Sequence, residues 1–314
     1  MILHQDIKLL EQSIRATSQH FSIKETFVEK DYWISLVLSR LARSEKSDKI
    51  VFKGGTSLSK AYNLIERFSE DVDLAVVRVE DMNPNQIKQL IRSVEKEITA
   101  DLLEIKDTEV SRKFSRYRKS LFSYHPDNIS NKEKRILVEI NSFANPYPAQ
   151  PMNIKSMITA FLEETNRHAS IEEYQLQPFT VNVLSKEQTL LEKLISLIRF
   201  SFSEDSIAGL SEKIRHFYDL HYLYQDQECK EFMKDPGFKE RFGELLHHDK
   251  KAFDEPTGWK EKGVSDSPLI KDFASHWVSL KQTYQKELSE YAYRPIPEEK
   301  IVSDSFKTLI KHII

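Results

Sequence analysis

Ile50-Val51-Phe52-Lys53-Gly54-Gly55-Thr56-Ser57-Leu58-Ser59-Lys60-Ala61-Tyr62, followed by Arg67-Phe68-Ser69-Glu70-Asp71-Val72-Asp73-Leu74, is the stretch whose reading decides the fold. Gly54 and Gly55 are the only glycines in the first 208 residues. A chain this sparing with glycine places it where the backbone turns tightly or approaches another group closely. Apolar Ile50-Val51-Phe52 reads as a buried strand end, and Ser57 to Tyr62 as the first turns of a helix. Strand, glycine turn and helix start together offer free backbone N–H groups and a positive dipole end to a phosphate. Asp71 and Asp73 sit two apart in the strand-like run Val72-Asp73-Leu74-Ala75-Val76-Val77. Period-two geometry points both carboxylates to one face, about 7 Å apart along the strand, a mount for a divalent cation carrying a nucleoside triphosphate (NTP).

Working outward, helical periodicity covers residues 5–19 and 23–43, with Ser22 as N-cap of the second helix and Glu25 three residues on as in a capping box. A strand is expected at 49–53, a helix at 56–65 and a strand at 72–78. Asn83-Pro84 starts a helix at 84–100. Strands at 112–124 and 134–143 are joined by the polar turn Pro126-Asp127-Asn128. Pro146, Pro148 and Pro151 break the chain, a helix occupies 153–166, and Phe179 to Leu184 forms a short strand. Beyond Ser185 the pattern is helical at 186–201, 208–226, 268–291 and 303–313, with charged 227–265 holding short helices and loops. The expected class is therefore α+β: a mixed strand-and-helix half over 1–150 and a mainly helical lobe over 151–314, with a soft boundary near 150.

The 314 residues suffice for one large domain or two modest ones. A formal charge of −3 gives no global attraction to nucleic acid, so any such contact rests on local patches. One cysteine, Cys229, excludes an intramolecular disulfide framework and leaves no zinc site to propose. The start Met1-Ile2-Leu3-His4-Gln5-Asp6 has no signal-peptide pattern, and no run of about 18 apolar residues occurs. A soluble cytoplasmic protein with no membrane span is expected.

Each chemical signal has a plain alternative. Gly54-Gly55-Thr56-Ser57 is either an ordinary turn or a phosphate cradle to which Ser57 adds a hydroxyl; it lacks the Gly-Lys-Ser/Thr ending of a P-loop. Asp71 and Asp73 are either solvated or, given their apolar neighbours, half-buried and in need of a partner. Magnesium suits such a pair, taking one or two carboxylates plus substrate phosphates. Glu139, the lone acid in Ile136-Leu137-Val138-Glu139-Ile140, is the candidate third ligand of a two-metal site, or a solvated strand acid. Lys193 and Asp219 on helices of the C-terminal half read alone as surface charges or as active-site groups. Arg112-Lys113-Phe114-Ser115-Arg116-Tyr117-Arg118-Lys119 is either a track for RNA or an edge strand kept soluble by charge.

The run from Phe52 to Lys60 continuing to Leu74 resembles the nucleotidyltransferase toxins of the AbiEii/AbiGii abortive-infection family. Glu29-Lys30-Asp31-Tyr32-Trp33 resembles its N-terminal Glu-Lys-Asp-aromatic segment, and Glu192-Lys193-Leu194 and Tyr218-Asp219-Leu220 resemble its later motifs. The resemblance implies a polymerase-β-like nucleotidyltransferase core with a helical C-terminal lobe. It also implies transfer of a nucleoside monophosphate (NMP) from NTP with Mg2+, an acceptor such as a tRNA 3′ end, and an antitoxin encoded nearby. It assigns Gly55 and Ser57 to phosphate, Asp71 and Asp73 to metal, and Lys193 and Asp219 to the active site. Gly54, Thr56, Lys60 and Arg67 complete the expected nucleotide-binding set. His216 stands where the family motif often has an acid. Two other functions remain open: a non-catalytic module binding NTP or RNA, and transfer to a protein or small molecule.

Overall fold

The computed structural model describes residues 1–77, 79–108, 110–125 and 134–314. Two units emerge from its contacts: unit 1 comprises Met1–Ala61 and Phe68–Leu184, and unit 2 comprises Tyr62–Arg67 and Ser185–Ile314. The division falls after Leu184 because the strand ending there completes the sheet of unit 1; residue 150, where the sequence places a soft boundary, lies inside a strand of that sheet.

Unit 1 contains α1 (Ile7–Phe21), α2 (Glu25–Arg43), β1 (Ile50–Lys53), α3 (Gly54–Lys60), β2 (Asp71–Val76), α4 (Pro84–Ile98), β3 (Leu103–Ile105), β4 (Arg112–Lys113), β5 (Tyr117–Ser123), β6 (Arg135–Asn141), β7 (Ala149–Ile154), α5 (Met157–Glu164), α6 (His168–Glu173) and β8 (Phe179–Leu184). The described strands form one mixed sheet in the order β3-β5-β6-β2-β1-β8-β7, with β4 also on β5. β1 runs antiparallel to β2 and parallel to β8, and β2 runs parallel to β6. Val72, Leu74, Val76, Ile136, Val138 and Ile140 are fully buried on the face that packs against α2 and α4. Burying each such aliphatic side chain stabilises the fold by about 1.5–3 kcal/mol. The alternate residues Asp71, Asp73, Leu137 and Glu139 lie on the half-buried opposite face.

Several boundaries depart from the sequence reading for identifiable reasons. Ser22 closes α1 rather than opening α2: it adopts the left-handed conformation (φ 55°) and its N–H donates to Ser18. α2 then starts after Lys24 with no side-chain cap. Asn83 and Gln86 do form a reciprocal capping box at α4, with Pro84 in its first turn. The stretch 112–124 is two strands, because Phe114 N–H donates to Tyr117 O and closes a turn. The expected turn at Pro126-Asp127-Asn128 lies outside the described residues. β7 was concealed by its proline: at the sheet edge, Pro151 has no inner ladder bond to lose.

α2 buries three consecutive charged residues, and each has a partner. Glu29 meets Lys134 and, at 3.0 Å, His125; Lys30 meets Glu70; Asp31 meets Lys60 and accepts the Met157 N–H at 2.7 Å. The Glu-Lys-Asp segment thus fastens α2 to α3, to the residue before β2 and to the start of α5.

Unit 2 is helical: α7 (Lys186–Phe200), α8 (Ser206–Ser211), α9 (Arg215–Gln225), α10 (Gln227–Lys234), α11 (Phe238–Ala252), α12 (Pro268–Lys271), α13 (Phe273–Tyr291) and α14 (Glu299–Lys311). The expected helix over 208–226 is two helices: α8 starts earlier, capped by Asp205 through the Ile207 and Ala208 amides, and ends at Ser211, and α9 begins at Arg215. Its core sets Phe217 edge-to-face with Trp277 and Phe306, with ring centroids 5.2 and 4.9 Å apart. The segment Tyr62–Arg67 is not the continuation of α3 expected over 56–65. Its backbone is engaged elsewhere: Tyr293 donates to Glu66 O and Ile65 O, each at 3.1 Å, and Tyr218 Oη accepts the Glu66 N–H at 3.3 Å.

Arg67 completes that attachment. Its Nε donates to Asp219 Oδ1 and its Nη2 to Oδ2, both at 2.7 Å, while Lys193 Nζ reaches Oδ2 at 2.7 Å. Asp219 is fully buried. Burial pushes its carboxyl up, but the Arg67 guanidinium and the Lys193 ammonium outweigh that and hold it well below the usual carboxylate range.

Asp31→Ala is expected to destabilise the protein by about 3 kcal/mol, because the buried Lys60 ammonium loses its carboxylate; the urea midpoint checks this. Asp219→Asn is expected to cost about 3–5 kcal/mol at neutral pH by leaving Arg67 and Lys193 poorly paired. A carboxylate with a depressed folded pKa contributes stability that is full above its unfolded value of about 3.9 and lost as pH falls through the folded one. The stability gap between wild type and Asp219→Asn should therefore stay level from neutral pH to about pH 4 and narrow only in stronger acid, as read from urea unfolding across pH.

Candidate active site

In unit 1 the site begins where β1 ends. Lys53 is extended, and Gly54 then takes φ +81°, the left-handed region in which a side chain is strained. A Cβ on Gly54 would stand 2.2 Å from Asp73 Oδ2. The glycine bend and the Asp73 carboxylate are therefore in direct contact, which only a residue without a side chain allows. Gly55, Thr56 and Ser57 are buried in the first turn of α3. Thr56 Oγ1 donates to the backbone oxygen of Asp71, joining the turn to β2 a second time. Ser57 Oγ donates to Gly54 O at 2.9 Å, so its hydroxyl braces the turn. The first amides of α3 lack intrahelical acceptors, as at every helix start.

Register then assembles a row of charges on one face of the sheet. Lys53 pairs with Asp73, Asp73 with Glu139, Glu139 with Lys119, and Lys119 with Arg112. Directly paired residues share a face and adjacent strands lie about 4.8 Å apart. The row reads cation, anion, anion, cation, cation. Two carboxylates side by side repel one another unless a positive charge lies near. Asp71, two residues before Asp73, faces the same way with Leu137 as its neighbour. This donor set, all oxygen and anionic, suits Mg2+ rather than a softer metal. Among the described residues, no three His, Cys, Asp or Glu side chains are gathered as a metal-binding group. Any cation here would thus be held by a carboxylate pair, with the rest of its shell supplied by phosphate oxygens and water, as Mg2+ accepts. Glu139 instead accepts a hydrogen bond from Tyr117 Oη at 3.1 Å.

Lys60, expected at the phosphates, places its ammonium on Asp31 and on Lys155 O at 3.3 Å. The basic run does not form one stripe. Arg118 turns to the helix-covered face, where its Nε donates to Glu95 at 2.6 Å beside Ser120. Lys113 meets Glu104, and Arg116 donates to Ser142 O at 3.1 Å. Arg112 and Lys119 lie on the carboxylate face, and Phe114 is 64% exposed.

In unit 2 the expected Lys193 and Asp219 come together with Arg67. Burial lowers the Lys193 pKa despite the Asp219 carboxylate beside it. Asp219 has both oxygens engaged and no exposed surface, so it orients the two cations. His216 lies one turn before Asp219 on α9, and its Nδ1 is buried without a partner among the described residues. Burial, then the nearby Lys193 charge, hold its pKa well below the ordinary histidine value, so the imidazole is neutral at pH 7.

Sequence reasoning missed Lys53, Tyr117 and Lys119 as neighbours of the carboxylates. No signal in the sequence reveals them, because pairing across strands distant in sequence brings them there. The partners of Glu29, Lys30 and Asp31 were equally hidden, although three charges within an apolar helix signal that partners must exist.

A family model described as nucleotidyl transferase AbiEii toxin, type IV toxin–antitoxin system, matches residues 36–308. A search of curated proteins finds no match. Among solved structures, the chain is similar to MenT4, a nucleotidyltransferase toxin from Mycobacterium tuberculosis, with a TM-score of 0.54 and 15% identity over 95% of this chain and 89% of that one. At that identity the likeness concerns the fold: a mixed sheet with many helices. The family match spans most of the chain, both the glycine turn with its aspartates and the helices bearing Lys193 and Asp219, and the protein belongs to the AbiEii nucleotidyltransferase toxin family of type IV toxin–antitoxin systems.

Proposed function

We propose that the chain transfers an NMP from NTP to an acceptor hydroxyl, releasing pyrophosphate, and that the acceptor is a tRNA 3′ end. The observation that supports this reading is the contact between the Gly54 bend and the Asp73 carboxylate, which sets a helix-start turn against an anionic oxygen donor. The amides of Gly54, Gly55, Thr56 and Ser57 orient the β and γ phosphates. Asp71 and Asp73 hold the cation, which when bound neutralises the triphosphate and makes its α-phosphorus more electrophilic. Glu139, in register with Asp73, takes the proton of the attacking hydroxyl. Lys193 and Arg67, oriented by Asp219, present positive charge to an anionic substrate. Arg112 and Lys119 on the carboxylate face supply phosphate contacts for RNA; Arg118, bound to Glu95, does not.

Membership of a type IV toxin–antitoxin family supports a cognate antitoxin encoded nearby and a role in limiting phage spread. Among the described residues no helix is long and apolar enough to cross a membrane.

The test is to incubate the purified protein with magnesium, total cellular RNA and each of the four NTPs labelled at the α-phosphate. A tRNA band is expected to gain label with one or more NTPs. Asp73→Asn is expected to reduce that labelling about 10³-fold, roughly 4 kcal/mol of transition-state stabilisation, with an unchanged circular dichroism spectrum. Turnover equal to wild type in this variant would remove the metal mechanism.

A further inference from the structure

The carboxylate row already holds a hydroxyl. Tyr117 Oη donates to Glu139 Oε2 at 3.1 Å, Glu139 stands in register with Asp73, and Asp73 touches the Gly54 turn. A protein hydroxyl, the carboxylate that accepts its hydrogen bond and an aspartate against the glycine turn therefore follow one another within unit 1. We propose that Tyr117 is an acceptor in its own right: the protein transfers an NMP from NTP to the Tyr117 hydroxyl of its own chain. This inference rests on the transfer reading above.

Other hydroxyls near the turn are otherwise employed. Thr56 Oγ1 and Ser57 Oγ are buried and donate to backbone oxygens of Asp71 and Gly54. Ser120 donates to Glu95 on the helix-covered face. Tyr117 is half-buried, its ring tilted against Phe143 at 5.7 Å between centroids. That contact limits where the ring can travel.

The chemistry balances without a further reagent. Tyr117 Oη forms a bond to the α-phosphorus, and the bond from that phosphorus to the bridging oxygen of the β-phosphate breaks. Pyrophosphate departs with the electron pair, and the phenolic proton passes to Glu139. The product is a phosphodiester on Tyr117, one negative charge added beside Asp73 and Glu139.

The full-length protein is incubated with magnesium and each α-labelled NTP, with and without total RNA, and both protein and RNA are then separated and counted. The protein is expected to gain a single NMP by intact mass, carried on the peptide containing Tyr117. Tyr117→Phe, which keeps the ring, should lose at least about tenfold of the protein label, and Asp73→Asn should lose it as well. Labelled RNA with unlabelled protein would overturn the proposal and leave the transfer reading standing. Label on neither overturns both. Label on another residue, or full protein label in Tyr117→Phe, overturns the assignment to Tyr117.

Discussion

Everything in unit 1 that bears on chemistry depends on a missing Cβ. Gly54 bends into the left-handed region with Asp73 Oδ2 where a side chain would begin. That contact brings the end of β1, the start of α3 and the middle of β2 to one point. Thr56 fastens the same turn to β2 from the other side, and Ser57 stiffens it from within. Behind it, Asp31 and Lys30 on the buried helix α2 fix Lys60 just after the turn and Glu70 just before the aspartates. The site is thus held by structure that does not touch its open face.

Charge is arranged around that point by register. A parallel pairing of β2 with β6 sets Glu139 beside Asp73, and antiparallel pairings on either side add Lys53 and Lys119. Adjacent carboxylates are costly in a sheet, and the flanking cations reduce that cost. In unit 2 the proportions reverse: two cations meet one carboxylate, fully buried, so the trio itself is positive. Unit 1 thus carries a local excess of negative charge and unit 2 a local excess of positive charge.

The glycine turn and the common face of Asp71 and Asp73 were readable because both are local. Two glycines in a long glycine-free stretch mark a bend, and period two settles which residues share a face. The helical character of residues 185–314 was also legible from periodicity. What escaped the sequence is set by distant pairing. Nothing near Arg118 announces that Glu95 lies behind it, so the basic run looked like one stripe when its charges divide between two faces. Nothing near Ile65 and Glu66 announces Tyr293, so a helix was extended into a segment committed to unit 2. Pro151 concealed an edge strand, because proline is forbidden only where an inward N–H is needed. The role of Ser57 hinged on a hydrogen bond three residues back, which spacing alone does not distinguish from a hydroxyl offered to a ligand.

The most direct measurement compares calorimetric binding of magnesium–NTP to Gly54→Ala and to Gly243→Ala, where an added Cβ meets nothing within 4 Å. The account expects Gly54→Ala to weaken binding by at least about tenfold, roughly 1.4 kcal/mol, while retaining its fold, and Gly243→Ala to bind as wild type does. Undiminished binding by a folded Gly54→Ala protein would contradict the claim that the turn and the Asp73 carboxylate form one nucleotide site.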